Sequence, residues 1–341
     1  MEEKHRKYKA VTLDDVARAA DVSAITVSRA LRTPEIVSTK VLERVQAAVH
    51  DLGYTPNPAA RALASAKTTT IGVIIPSVTN SVFSDVLRGI YDGVEGTAFQ
   101  VQLGNTRYMG SKEEELLKLF AAQRPSGLIV SGTDQSERSR KLLESFGCPI
   151  VQIMEFGPDP VDMMVGTDHR LSARAAVRHL VEKGYRRIGF LGARMDPRAQ
   201  RRLQGYSDVL HSEGLFQDRL ILTTPRASSV TVGSEMFADF LGLAPDVDAV
   251  FCNNDDIALG VLFECQRRRI KVPEQFGIVG FNDLDMVAAS MPSITSVRTH
   301  RYEMGKMAIE MVISAAQGSR PEQPVVDIGY ELKVRQSTDR G

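Results

Sequence analysis

From Thr70 onward, short apolar runs alternate with amphipathic segments, and that alternation leaves the chain few folds to choose from. TIGVIIP, FQVQLGN, GLIVSG, PIVQIM, RIGFLGA, AVFCNND and FGIVGFN read as strands, brief runs rich in β-branched or aromatic residues. Helical periodicity predicts helices over Phe83–Gly96, Ser111–Gln123, Ser136–Phe146, His169–Lys183, Gln200–Glu213, Val232–Leu241, Asp256–Arg268 and Arg301–Gln317. Strands that are apolar throughout need cover on both faces, so the alternation predicts parallel sheets clad by helices on each side. Bound molecules in such folds sit beyond the C-terminal ends of the strands, where strand order reverses.

The first seventy residues follow another pattern. Thr12 can cap a helix, with Asp15 closing a capping box, and Leu13, Val16 and Ala17 recur on one face. After a break at Asp21-Val22, Ser23 can cap a second helix that turns Val27, Ala30 and Leu31 inward and leaves Ile25, Ser28 and Arg29 outward. A short capped helix braced by another fits the DNA major groove, its N-terminal residues meeting base edges. The plain alternative is a helical hairpin at a domain edge. A third helix follows Thr33-Pro34, with Ser38 as N-cap, an apolar stripe of Val41, Leu42, Val45, Val49 and Leu52, and a stop at Gly53. Asn57 and Pro58 then start a segment, Ala59 to Ala64, of barely two turns. A helix that short is not stable alone in water and forms only where something holds it. Otherwise it is an alanine-rich linker.

The run VTLDDVA, VSAITVSRAL, DLGYTPNPAARALA and IGVIIP resembles the LacI/GalR family of bacterial transcription regulators, and the similarity extends from about Val11 to Arg335. The resemblance implies a homodimer, or a tetramer, that binds double-stranded operator DNA and a small-molecule effector. It implies base and backbone contacts from Thr12, Ser23, Ala24, Ile25, Thr26, Ser28 and Arg29, with Ala24 and Ile25 most determining base choice. Both are apolar, so contact with thymine methyls is expected, and Arg29 is expected to supply the polar base contact. The Asn57 segment matches the family's hinge helix, which folds on operator DNA, with Asn57, Ala60 and Arg61 at minor-groove and backbone contacts. Leu63 matches the leucine wedge that opens the central base step.

Charge is consistent with a basic head. The formal net charge of the chain is zero, yet residues 1–70 carry 11 Lys and Arg against 8 Asp and Glu. Phosphate contacts are then made locally. The MEEKHRKYK start lacks the apolar core of a signal peptide, and no stretch is apolar enough to span a membrane, so a cytoplasmic protein with no membrane partner is expected. Cys148, Cys252 and Cys265 are scattered, odd in number and without metal spacing, as befits reduced thiols.

The strand ends supply the candidate effector residues. Asn80 and Phe83 follow TIGVIIP, Glu155 follows PIVQIM, Asn254 and Asp255 follow AVFCN, and Asn282 and Asp283 follow FGIVGF. Phe83 matches the aromatic that stacks on ligand in the family, although helical spacing equally makes it a core residue. Asp255 is expected to cap the next helix, leaving the amide of Asn254 for a hydroxyl-rich ligand. FLGARMDPRAQRRLQGY concentrates Arg194, Arg198, Arg201 and Arg202 at a strand-to-helix turn. Arg202 occupies the place of the family arginine that grips ligand, whereas Arg201 reads as part of a solvated charge run. The arginine excess, and Asn282 where many relatives carry Asp, favour an anion. GARMDPRAQRRLQGY and PSVTNSVFSDVLRGI resemble the gluconate-operon repressors of the family, which implies a sugar-acid effector such as gluconate or a keto or phospho relative.

Catalysis is not expected: there is no dinucleotide or phosphate-loop motif, no catalytic triad, and the six histidines lack metal spacing, so no catalytic residue, cofactor or metal is assigned. A periplasmic sugar-binding protein shares the core fold but would need a secretion signal and no DNA head. A regulator of a neutral sugar or other small metabolite is the nearer alternative. The expected architecture is an N-terminal all-α helix-turn-helix head and an α/β core, resembling periplasmic binding proteins, of two doubly wound parallel-sheet subdomains. The boundaries fall at 1–55 for the head, 56–69 for the hinge helix and linker, 70–165 with 298–328 for the first subdomain, and 166–297 with 329–341 for the second.

Overall fold

The computed structural model describes residues 11–55 and 68–340, which fall into two compact units, 1–68 and 69–341. The expected hinge helix therefore lies outside the described residues, and so do Asn57, Ala60, Arg61 and Leu63. The head comprises α1 (Leu13–Ala19), α2 (Ala24–Arg32) and α3 (Thr39–Leu52). The capping box forms as read: Thr12 accepts from the Asp15 amide, and the Asp15 carboxylate accepts from the Thr12 amide at 2.9 Å. Ser23 caps α2 by accepting from the Thr26 amide at 3.1 Å. Gly53, at φ +60, ends α3 in the left-handed conformation that suits glycine. Ser38 takes the N-cap position of α3 as expected, without a side-chain capping bond. One expectation fails here. Leu52 is exposed, and Ala48 joins Val45 in the core in its place, because a residue in the last turn drifts off a short stripe.

The core unit contains two six-stranded sheets. The first runs β2 (Gln100–Asn105), β1 (Thr70–Ile75), β3 (Gly127–Ser131), β4 (Ile150–Glu155), β5 (Met163–Thr167), β11 (Val325–Asp327). The second runs β7 (Ile221–Thr224), β6 (Ile188–Ala193), β8 (Ala249–Cys252), β9 (Gly277–Asn282), β10 (Thr295–Arg298), β12 (Glu331–Lys333). All pairings are parallel except β10 with β12, an antiparallel edge that the alternation did not predict. Five short strands (β5, β7, β10, β11 and β12) are likewise absent from the sequence reading. Although the sequence shows no repeat, the two strand orders are the same, and in each sheet the order reverses beside the first strand.

Helices cover both faces of each sheet, as the period-2 geometry of buried strands requires. On the first, Ile71, Val73 and Ile75 meet α4 (Val82–Val94) and α12 (Arg301–Ala316), while Ile74 and Leu128 turn to α5 (Gly110–Gln123) and α6 (Glu137–Glu144). On the second, Phe190, Phe251 and Phe281 pack on α7 (His169–Glu182) and α8 (Pro197–Ser212). Leu191, Val250 and Ile278 pack on α9 (Val230–Leu243) and α10 (Asp255–Arg268). The short α11 (Asp285–Ala289) follows β9. The chain passes from one lobe to the other three times, after β5, β10 and β11.

Close approach of α4 and α12 depends on glycine: a Cβ on Gly305 would lie 2.0 Å from the Val86 carbonyl oxygen. Gly305→Val should therefore lower the urea midpoint, costing about 1–3 kcal/mol through overpacking. Gly242→Ala, where an added Cβ meets nothing within 4 Å, should be neutral or mildly stabilising.

Candidate functional site

On the head, the capped start of α2 leaves a limited ridge outward. Ile25 is 65% exposed, Arg29 is exposed without an ion pair among the described residues, and Ser28 and Thr26 are half-buried. Ala24 packs partly against the head core, so less of it is open than of Ile25. Two hydroxyls serve the helix starts: Thr12 donates to Asp15 at 2.6 Å, and Thr26 bonds Ser23 at 2.8 Å. Hydrogen bonds from Thr12 hold the Asp15 carboxyl below its ordinary value.

In the core, the ends of β1, β4, β6, β8 and β9 meet around one chamber. Asn80, Phe83, Arg194, Arg198, Arg202, Asn254 and Asn282 all line it. Glu155 does not; it lines an adjoining cavity beside Arg198. Phe83 is fully buried in the core of the first lobe, as helical spacing allows, and also lines the chamber.

The α8 helix carries the charge. Asp196 caps it, accepting from the Ala199 amide at 3.0 Å, and Pro197 takes the first helical position. Arg198 and Arg202, one turn apart, then share a face. Arg198 is buried with only long contacts, 3.4 Å to Ser131 and to Asp196 and 3.9 Å to Glu155. Arg202 lies 3.7 Å above the centroid of the Phe281 ring, donates to the Asn253 carbonyl, and approaches His169 Nδ1 at 3.3 Å. Burial pushes its guanidinium down to about 10, so it is charged at neutral pH but is the least well compensated cation of the site.

His169 was missed by sequence reasoning, which saw only the start of a helix. It is fully buried, and burial together with Arg202 pulls its pKa well below the ordinary value. The ring is neutral: Nδ1 accepts from Arg202, so the tautomer assigned by the network has Nε2 donating to the Met154 carbonyl at 2.9 Å. Tyr108, equally unforeseen, receives the Asn80 amide at 2.9 Å and carries Arg194 4.0 Å above its ring. Only long-range packing reveals either residue.

Four expectations need correction. Asn254, not Asp255, caps α10: its Oδ1 accepts from the Ile257 amide at 3.2 Å while Nδ2 donates to Ser228 at 2.6 Å. Asp255 is buried as the first helical residue, accepts from the Leu284 amide at 2.7 Å and Ser296 at 2.6 Å, and is pushed up to about 6 by burial. Arg201 is not a solvated charge: it pairs with Asp134 at 2.8 Å and Glu155 at 2.7 Å across the two lobes. Glu155 is consequently occupied by Arg201 and by the Thr133 hydroxyl at 2.9 Å, rather than free to meet ligand hydroxyls. Burial raises its carboxyl, against the opposing pull of Arg198 and Arg201.

Three arginines and two aspartates, Asp196 and Asp256, face the chamber, a positive excess. The Oδ1 of Asn282 is buried there without a hydrogen-bond partner among the described residues. Its backbone, at φ +113, is held by Arg301, which donates to the Asn282 carbonyl. The arrangement can receive an anion on the guanidinium groups and a hydroxyl donor on the amide. Among the described residues no cluster of His, Cys, Asp or Glu could hold a metal ion, and no helix is long and apolar enough to cross a membrane.

Comparison with known proteins matches two models: bacterial regulatory proteins of the lacI family over residues 12–57, and a periplasmic binding protein-like domain over residues 177–338. The chain is 38% identical to the HTH-type transcriptional regulator GntR of Pseudomonas aeruginosa, over 96% of this chain and 95% of that protein. It is 36% identical to the HTH-type transcriptional regulator IdnR of Escherichia coli, over 94% and 97%. Among solved structures, a LacI family transcriptional regulator from Silicibacter pomeroyi superposes with a TM-score of 0.91 at 36% identity, covering 97% of this chain and all of that one.

Removing Arg201 should leave Glu155 buried with the Thr133 hydroxyl and, as its cation, only the more distant Arg198. A carboxyl raised in the folded state favours folding while protonated, and that contribution is lost as pH rises through its folded pKa. Arg201→Met should therefore destabilise by roughly 1–3 kcal/mol, with urea midpoints showing a larger deficit at pH 8 than at pH 5.

Proposed function

The chain belongs to the lacI family of bacterial regulatory proteins, and from that premise we propose that it binds a pseudo-palindromic operator as a dimer and releases it on binding a small sugar acid. It is a DNA-binding transcriptional regulator and not an enzyme. The division of labour proposed follows the sequence: 1–55 reads the half-site, 56–69 supplies the hinge, and the two lobes of the core hold the effector.

For the DNA side, each head reads one half-site, so a symmetric dimer requires a symmetric operator. The exposed side chain of Ile25 suits thymine methyls, and Arg29, exposed and without an ion pair among the described residues, suits a polar base edge or phosphate. Ala24 adds a smaller apolar contact from beside it. Asn57, Ala60, Arg61 and Leu63 are assigned to the minor groove on family resemblance alone.

One observation carries the effector reading: Arg202 is buried on α8 with no carboxylate partner among the described residues, one turn from Arg198, whose carboxylate contacts are Asp196 at 3.4 Å and Glu155 at 3.9 Å. Burying cations in that way is costly unless an anion completes the site. A carboxylate offers the bidentate geometry that guanidinium groups prefer. Arg194 can add a third cation, Asn282 a hydroxyl acceptor, Asn80 and Asn254 the polar flank, and Phe83 an apolar face for the carbon chain. Glu155 contributes through Arg198 and Arg201. A six-carbon aldonic acid such as gluconate, or a keto or phospho relative, meets these demands. A neutral sugar leaves the arginines unsatisfied.

Titration calorimetry should show D-gluconate binding and little heat with D-glucose. Arg202→Ala should weaken gluconate binding at least about 100-fold, the loss of charged hydrogen bonds worth about 3 kcal/mol. Tighter binding of glucose, or an Arg202→Ala protein that binds gluconate as before, would remove the acid while leaving the regulator in place.

A further inference from the structure

The chamber is too small for a sugar acid as it stands. Its free space is about 50 Å³, room for roughly three or four waters, whereas sites for small ligands begin at about 300 Å³. Two cavities of about 340 Å³ each flank it, one beside Ser131 and Glu113, the other beside Thr79 and Ser229. Two residues line all three spaces, Tyr108 and Arg194. Tyr108 comes from the loop after β2 in one lobe, and Arg194 follows β6 in the other.

Both are held in left-handed backbone, at φ +59 and +66, a conformation that non-glycine residues keep only when their surroundings impose it. The Asn80 amide fixes the phenol, and the Arg194 amide donates to the Thr224 carbonyl at 2.8 Å. The Arg194 guanidinium forms no ion pair among the described residues and rests 4.0 Å from the centroid of the ring. A cation on an aromatic face is held less strongly than one in a fork with a carboxylate.

We propose that Tyr108 and Arg194 form a gate between the ligand chamber and the two flanking cavities, and that an acid enters by drawing Arg194 off the ring onto its own charge. The identity of the acid rests on the function proposed above; the gate does not. A neutral ligand offers Arg194 no replacement for the ring, so the gate selects on charge before the chamber arginines are reached. Tyr108 thereby becomes a specificity-determining residue, although no ligand contact was expected of it.

Access to the chamber can be read without any ligand. Asn282 faces the chamber and is 2% exposed, so a cysteine there reports opening. In the full chain carrying Cys148→Ser and Asn282→Cys, the rate of modification by methyl methanethiosulfonate is followed at position 282 by peptide mass. Tyr108→Ala and Arg194→Met should each raise that rate about tenfold, the loss of one ring–cation contact. Tyr108→Phe keeps the ring and should stay within about threefold of the parent, having lost only one neutral hydrogen bond. Thermal melts by circular dichroism identify any variant that fails to fold, and Arg194→Met then carries the test. Equal rates in all the folded proteins would overturn the gate. Faster modification in Tyr108→Ala, beside no calorimetric binding of D-gluconate to the native chain, would support the gate and overturn the sugar acid.

Discussion

A guanidinium buried between two lobes organises this core. Arg202 is stacked on Phe281, tied to the Asn253 carbonyl and set against a neutral His169, with no carboxylate in contact among the described residues. Removing such a charge from water is unfavourable, and ring and carbonyl dipoles repay it only in part. Its lowered proton affinity, at about 10, expresses the deficit. The neighbouring residues respond to that one charge: His169 is kept neutral, its Nε2 bonds back to Met154 in the other lobe, and Arg198 adds a second cation rather than neutralising the first. An anion placed here would offset that deficit.

Closure of the cleft is held by the chain's own groups. Arg201 reaches from α8 to Asp134 and Glu155, Arg198 to Ser131, and Arg194 to the ring of Tyr108. Each spans the lobes, and together they leave little free room in the chamber. A ligand can shift such an equilibrium only by interacting differently with the two arrangements. An acid that reaches Arg202 does so by meeting a charge the closed cleft leaves under-satisfied. Family membership then gives the coupling its meaning, since the same chain carries the head that matches the lacI family. If operator and effector prefer different arrangements, each weakens the other by the same factor.

Much of the architecture was legible because its signals are local. Alternating apolar runs, the Thr12–Asp15 capping box, the Ser23 cap and the Gly53 stop depend on neighbours within a few residues. Short strands were not legible: β11 and β12 are three residues each, too brief for a period to register, and Met163–Thr167 is only five residues long. Adjacent polar residues were ambiguous in kind, since Asn254 and Asp255 can both cap and only the backbone decides that Asn254 does. Residues lining the chamber were legible at the strand ends because parallel topology brings those ends together. His169, Tyr108 and the bridging role of Arg201 were not, because their partners lie between 15 and 86 residues away along the chain, beyond any local pattern.

Coupling between the two sites is the most direct test of the whole account. Fluorescence anisotropy of the gene's own upstream DNA would give the operator dissociation constant with and without saturating D-gluconate. Calorimetry would give the gluconate constant with and without that DNA. The account requires gluconate to weaken operator binding and operator to weaken gluconate binding by one common factor, on the order of 5- to 150-fold. Operator affinity unchanged by gluconate, or strengthened by it, would contradict it.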